Sequence, residues 1–289
     1  MRRPGKAGGM LLAMLGVALA CGCFGPVPRT AGWLDQVRGR GGPLPTDGLY
    51  LQTVLIDQPA GDAYLNREIW TAASKPLTHP HAILLAQNGL RVGIVTGPLP
   101  GEFDRLLSTE ATVINPMLRT VQPGKPKVVP LNGPLERAQY QVIHDLAADP
   151  TNIDVMAAEC GLAVTATQEG TARLRLHCEF QVQHGDRQAW LKPTADGSSF
   201  ARQDHKSQES YPTLAFDVTL SPNDYLIVGT SETPAEKLGQ ACFIHAAEGR
   251  VRQRLLVIRA GHGNRPAEPG RPTAAAAAAQ PGVVARGNY

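Results

Sequence analysis

The sequence predicts an α+β protein in which a small β-α-α-β-α unit precedes a mainly antiparallel β sandwich or partly open barrel. Three patterns carry that reading. Apolar residues at helical spacing alternate with short β-branched runs before residue 117. Strict apolar/polar alternation dominates after residue 135, and Pro- and Gly-rich segments bracket both stretches. The expected organisation is a signal peptide over 1–20, a flexible tether over 21–47 and a small α+β domain over 48–116. A linker over 117–134, an antiparallel β domain over 135–260 and a disordered tail over 261–289 complete it.

In the first unit, "LYLQTVLI" (49–56) is β-branched and aromatic and reads as a strand. In "GDAYLNREIWTAAS" (61–74), Tyr64, Leu65, Ile69 and Ala72 recur near helical spacing, with Asp62 placed to cap the N-terminus. "PHAILLAQNG" is a second helix stopped by Asn88-Gly89, a pair that tolerates the left-handed conformation of a helix end. "LRVGIVT" (90–96) is a strand expected to pair with 49–56. "PGEFDRLLS" is a short helix with Phe103, Leu106 and Leu107 on one face. The proline-rich "NPMLRTVQPGKPKVVPLNGP" then reads as a linker.

In the second unit, "RAQYQVI" (137–143) supplies the first strand. "TARLRLHCEFQVQ" (171–183) sets Leu174, Leu176, Cys178, Phe180 and Val182 on one face and polar residues on the other. "CGLAVTAT" (160–167) does the same, and a loop at Gln168-Glu169-Gly170 joins the two in a hairpin. Centred on Glu169, that hairpin places Val164 opposite Leu174 and Cys160 opposite Cys178. Cys160 and Cys178 are therefore candidate disulfide partners, or two buried thiols acting as apolar filler, while Cys242 has no evident partner. "TLAFDVTL" (213–220), a turn at "SPND" and "YLIVGT" (225–230) read as a second hairpin, and "RVRQRLLVIRA" (250–260) as a last strand.

The N-terminus carries Arg2, Arg3 and Lys6, followed by an uncharged apolar run from Met10 to Ala20. That run is too short for the roughly 20 residues that span a bilayer, and has the length of a secretory signal core. Ala18-Leu19-Ala20 then leads into Cys21. This stretch resembles the lipobox of bacterial lipoproteins, with Ala18 where the pattern usually has Leu. The resemblance implies a cleaved signal, a lipid on Cys21 and a membrane-anchored protein of the cell envelope. An ordinary signal peptide or a short uncleaved anchor is the alternative. Without the first 20 residues, 28 − 3 = 25 basic residues face 25 acidic ones. A neutral body has no global attraction to nucleic acid, and none is expected as a partner.

Catalytic motifs are absent from the sequence: there is no Gly-x-Ser-x-Gly, P-loop, His-Glu-x-x-His or body Cys-x-x-Cys. No cofactor or metal is expected. His79 and His81, the group His144, Asp145, Asp149 and Asp154, and the group His177, His184, Asp186 and His205 were weighed as sites. All read first as loop, cap or strand-face residues. The long polar segment 185–212 is expected to be a binding loop, with Arg187, Trp190, Lys192, Phe200 and His205 its contact residues. "LSPNDYLIVGT" followed by "LGQACF" resembles a turn-strand-Gly pattern in the sheet-rich region of bacterial secretins, over about 25 residues.

The expected function is a lipid-tethered envelope module that binds or scaffolds another envelope protein or a polysaccharide. Two alternatives remain: an exported hydrolase assembled from distant loops, with His144, His177 and Asp186 as its candidates, and a subunit of a secretion or pilus assembly.

Overall fold

Among the described residues, eleven strands form two antiparallel sheets, with four short helices around them. The computed structural model describes residues 48–170, 173–193, 198–231 and 236–262. The elements run β1 (Leu49–Pro59), a π-helical turn (Tyr64–Glu68) continuing into α1 (Ile69–Ala72), α2 (His79–Gln87), β2 (Leu90–Val95), α3 (Gly101–Ser108), β3 (Val113–Val121) and β4 (Pro126–Val142). They continue with β5 (Thr151–Glu169), β6 (Arg173–Pro193), β7 (Phe200–Ser210), a 3₁₀ turn (Pro212–Leu214), β8 (Phe216–Leu220), β9 (Tyr225–Thr230), α4 (Leu238–Phe243), β10 (Ile244–Ala247) and β11 (Arg250–His262). The first sheet has the order β2-β9-β11-β1-β3 with β10 beside β11. The second has the order β4-β5-β6-β7 with β8 beside β6. This is the predicted α+β class, mainly antiparallel β.

The first sheet is buried on both faces. Leu51, Leu55, Leu226, Val228, Leu256 and Ile258 share a core with Leu162, Val164, Leu176 and Phe180 of the second sheet. On the opposite face, Ile56, Ile227, Leu255 and Val257 pack under Leu65, Ile69, Phe103 and Leu106. Three layers result: sheet, sheet, helices. A central strand wrapped on both faces needs an almost continuous apolar run, which is why β1 reads "LYLQTVLI" rather than alternating. The second sheet is wet on one face, so β6 alternates buried Leu174, Leu176 and Cys178 with exposed Arg173, Arg175 and His177. Local signals also match the fold. The Asp62 carboxylate accepts from the Leu65 N–H at 2.9 Å, and Gly89 closes α2 with φ 72°.

Five expectations are corrected. First, residues 113–121 and 126–142 are strands, not a linker: prolines 126 and 130 lie in a strand interrupted by register shifts at Pro130/Asn132 and Asn132/Leu135. Second, β1 does not pair with β2; it lies between β11 and β3, and β2 pairs with β9. Strands from before and after residue 117 thus share one sheet. Third, β8 and β9 form no hairpin. The Ser221–Asp224 turn, with Asn223 at φ 71°, carries the chain from β8 beside β6 to β9 beside β11. Fourth, 185–212 is mostly an antiparallel arm made by β6 and β7. Fifth, Cys160 faces Val182, while Val164 faces Cys178, so the two cysteines are not cross-strand neighbours; both thiols are free. Of the expected tail, Gly261 and His262 still belong to β11, and the rest lies outside the described residues. Cys21 and the tether also lie outside them.

Candidate groove beside β2

β2 is an edge strand, and its open side forms one wall of a groove. At one end the edge is closed by residue 74: the Ser74 N–H donates to the Ile94 carbonyl at 2.8 Å, and the Ile94 N–H to the Ser74 carbonyl at 3.0 Å. In an antiparallel ladder alternate residues point their backbone groups the same way, so the N–H and C=O of Val92 also turn outward. Among the described residues no strand pairs with them. α2, α1 and the segment after it enclose a cavity of about 340 Å³ there, floored by Leu85, Leu90 and Val92 and rimmed by Trp70, Leu77 and Ile83.

The groove has one charged end. Arg91 lays its guanidinium 4.4 Å from the Trp70 ring centroid and donates to the Asn66 carbonyl at 2.6 Å. Trp70 in turn donates its indole N–H to the Leu65 carbonyl at 2.7 Å, which holds the ring upright. Arg67 and Lys75 join Trp70 and Arg91 around an adjoining cavity. A half-buried cation over an aromatic face beside an apolar trough suits a ligand with apolar side chains and an acidic group. Trp70 and Arg91 escaped the sequence reading. The available signals were a large indole next to Ile69 in the helical run and a single charge within "LRVGIV".

The sequence-predicted residues are scattered. His79 is exposed and lines the groove; His81, two residues further along the same helix start, is half-buried. His144 sits 3.2 Å from the Thr213 hydroxyl, whereas His177 lies 3.2 Å from the Asp217 carboxylate on the wet face of the second sheet. Asp186 is exposed in the β6–β7 arm, and His184 faces Glu209 at 3.6 Å. His144, His177 and Asp186 are therefore not assembled into one site. Asp145 and Asp149 are exposed. Asp154 is paired with Arg137 at 2.8 Å and with Gln139, which hold its carboxyl at about 2. Arg187 is exposed at the irregularity where β6 leaves register, and Phe200 is 68% exposed near the tip of the arm. The Trp190, Lys192 and His205 backbones lie in the same arm; their side chains are outside the described residues.

A further His–carboxylate pair is structural in its setting. His245 lies 3.8 Å from Asp57, which Arg252 engages at 2.8 Å between β1 and β11. Burial, with Arg254 and Arg252 nearby outweighing Asp57, pushes the His245 pKa below its usual value. The folded state therefore holds this imidazole neutral and the unfolded chain binds the extra proton. Stability is present above the unfolded value near 6.5 and falls as pH drops through it. Urea midpoints between pH 7.5 and 5.5 are expected to fall less steeply for His245→Gln than for the parent. Parallel curves would contradict this.

No protein-family model and no curated protein matches the chain. Among solved structures, the chain is similar to the InvG secretin domain β-barrel from the Salmonella SPI-1 injectisome NC-base. The identity is 8% and the TM-score 0.24, covering 85% of this chain and 70% of that one.

Proposed function

We propose that this chain is a lipid-anchored binding module of a bacterial envelope, held to the membrane at Cys21, whose β2 groove receives an extended segment of another envelope protein. One observation carries the reading: an open strand edge, an apolar trough and the basic side chains of Arg67, Lys75 and Arg91 meet at Trp70. Strand addition would supply backbone hydrogen bonds at Val92, and the trough and cations would select apolar and acidic side chains. The N-terminal run supports the anchor, and among the described residues no helix is long and apolar enough to cross a membrane.

The test is affinity capture from the native envelope, with parent and groove variants compared by mass spectrometry. Ile83→Asp and Lys75→Glu alter exposed lining residues and are expected to remove the captured protein at least tenfold while leaving the urea midpoint unchanged. Equal capture by the variants would sink the groove, and a polysaccharide eluting instead would replace the partner. In the same cells Cys21→Ala is expected to move the protein from the membrane to the soluble fraction; retention there would refute the lipid.

A second reading, a subunit of a secretion or pilus assembly, is favoured by β7. Its eleven residues pair with β6 alone, so among the described residues its outer edge meets no strand. Such an edge is a template for pairing between copies. A stable ring on sizing would support it, and a monomer across micromolar concentrations would exclude it.

A further inference from the structure

We propose that Cys160 and Cys242 are a disulfide-forming pair, a covalent modification site that ties β5 of the second sheet to α4. The inference is independent of the groove. The strand register removes Cys178 as the partner of Cys160, since Val182 stands opposite Cys160 and Cys178 stands opposite Val164. The fold supplies another in its place. The Cys160 side chain is 2% exposed and lies against α4, with its Sγ 3.5 Å from the Ala241 carbonyl. The next residue, Cys242, is fully buried in the same core cluster as Cys160, and both thiols are free in the structure.

The backbone on both sides of Cys242 is pinned. Asn132 donates to the Ala241 carbonyl at 2.8 Å and to the Ile244 carbonyl at 2.9 Å, so α4 is held at a fixed distance from β4, the strand beside Cys160. Tyr140 and Tyr211, whose hydroxyls meet at 2.6 Å, belong to the same core cluster as both thiols. Cys178 is on the same core face but stands opposite Val164, four residues along β5 from Cys160. Two of the three body cysteines are thus placed together and the third is apart.

The attacking species in disulfide exchange is a thiolate, and burial disfavours thiolates. Bond formation therefore belongs to the folding chain, before the core closes, with a small disulfide or an enzyme disulfide as oxidant. One protein thiolate attacks the carrier disulfide, forming a mixed disulfide and releasing one carrier thiol. The second protein thiolate attacks the protein sulfur of that mixed disulfide, forming Cys160–Cys242 and releasing the second carrier thiol. Two electrons and two protons pass to the carrier. The proposed export would bring the chain to a compartment where such carriers operate.

The experiment refolds the full-length chain from denaturant in a mixture of glutathione and glutathione disulfide, blocks free thiols with iodoacetamide and maps the digested protein by mass spectrometry. The same mapping is applied to protein as isolated from an exporting host, so that poor refolding cannot hide the answer. A cross-linked peptide holding Cys160 and Cys242 is expected, with Cys178 alkylated only after unfolding. Cys178→Ser should give the same link, and Cys242→Ser should leave Cys160 alkylated. Reductant should lower the thermal midpoint of the parent by on the order of 10 °C and leave that of Cys242→Ser unchanged. Recovery of Cys160 and Cys242 as free thiols in both preparations, or a link from either to Cys178, would overturn the assignment.

Discussion

Gly239→Ala is expected to destabilise the protein by about 3 kcal/mol or more, because the site has no room for a single methyl group. A Cβ there would fall 2.1 Å from the Gly89 carbonyl oxygen, 2.5 Å from its carbon and 3.1 Å from the Asn88 oxygen. All three are backbone atoms, so no side chain can swing away. The contact is also bonded: the Gly239 N–H donates to the Asn88 carbonyl at 2.9 Å. Here the start of α4 rests on the end of α2, where Asn88 spends its own side chain on the Leu84 carbonyl and on both backbone groups of Ile143. Inserting Cβ must push α4 off this seat or pull α2 out of line. In urea titrations the midpoint should drop with little change in slope. A midpoint within error of the parent would contradict the close approach.

Asn132→Ala is the second large effect, about 3 kcal/mol, and it acts by subtraction rather than crowding. The residue is 7% exposed, and its amide is engaged on every side. Nδ2 donates to Ala241 and Ile244, while Oδ1 accepts from the Gly133 N–H at 3.0 Å and from Arg254 at 3.1 Å. Truncation takes the amide donor from the Ala241 and Ile244 carbonyls, leaving the first with the weak Cys160 thiol at 3.5 Å, and strips one partner from Arg254, whose Nε already lacks one. Arg254 keeps only the Leu131 carbonyl at 2.9 Å. Asn132→Asp is the informative companion. It preserves volume but presents a carboxylate to two carbonyl oxygens, so it should be at least as damaging as alanine. If Asn132→Asp were neutral, the donor bonds would not be what holds α4 to β4.

What the chain announced locally, it also built. The Asn88-Gly89 stop, the Asp62 cap and the alternation of β6 are decided by neighbours in sequence, and each is where the pattern put it. Strand partnership is a different kind of information. Nothing in "LYLQTVLI" says that its neighbour is 200 residues away in β11; a run apolar on both faces says only that the strand will be central. The Cys160 register shows the limit most clearly. Moving the pairing by four residues keeps every apolar side chain of β5 and β6 on the core face, so alternation cannot tell the two registers apart. Only an odd shift would have been forbidden. The arm formed by β6 and β7 has the sequence of a loop, because its outer half, polar and with Gly185 in it, carries no apolar alternation. The groove was illegible for a related reason: its walls come from four segments whose residues look ordinary one at a time.

The pairing of β1 with β11, from Leu49 opposite His262 to Pro59 opposite Arg252, also dictates an order of events. The first strand cannot find its neighbour until the last has left the ribosome, so the central layer cannot close while synthesis is under way. Contacts of that span make folding slow and leave an open, protease-sensitive chain in the meantime. Under the export proposed for this chain, such delay would be a gain, because a chain crosses a membrane as an extended thread. The strand that completes the sheet arrives last, and until then the chain stays threadable.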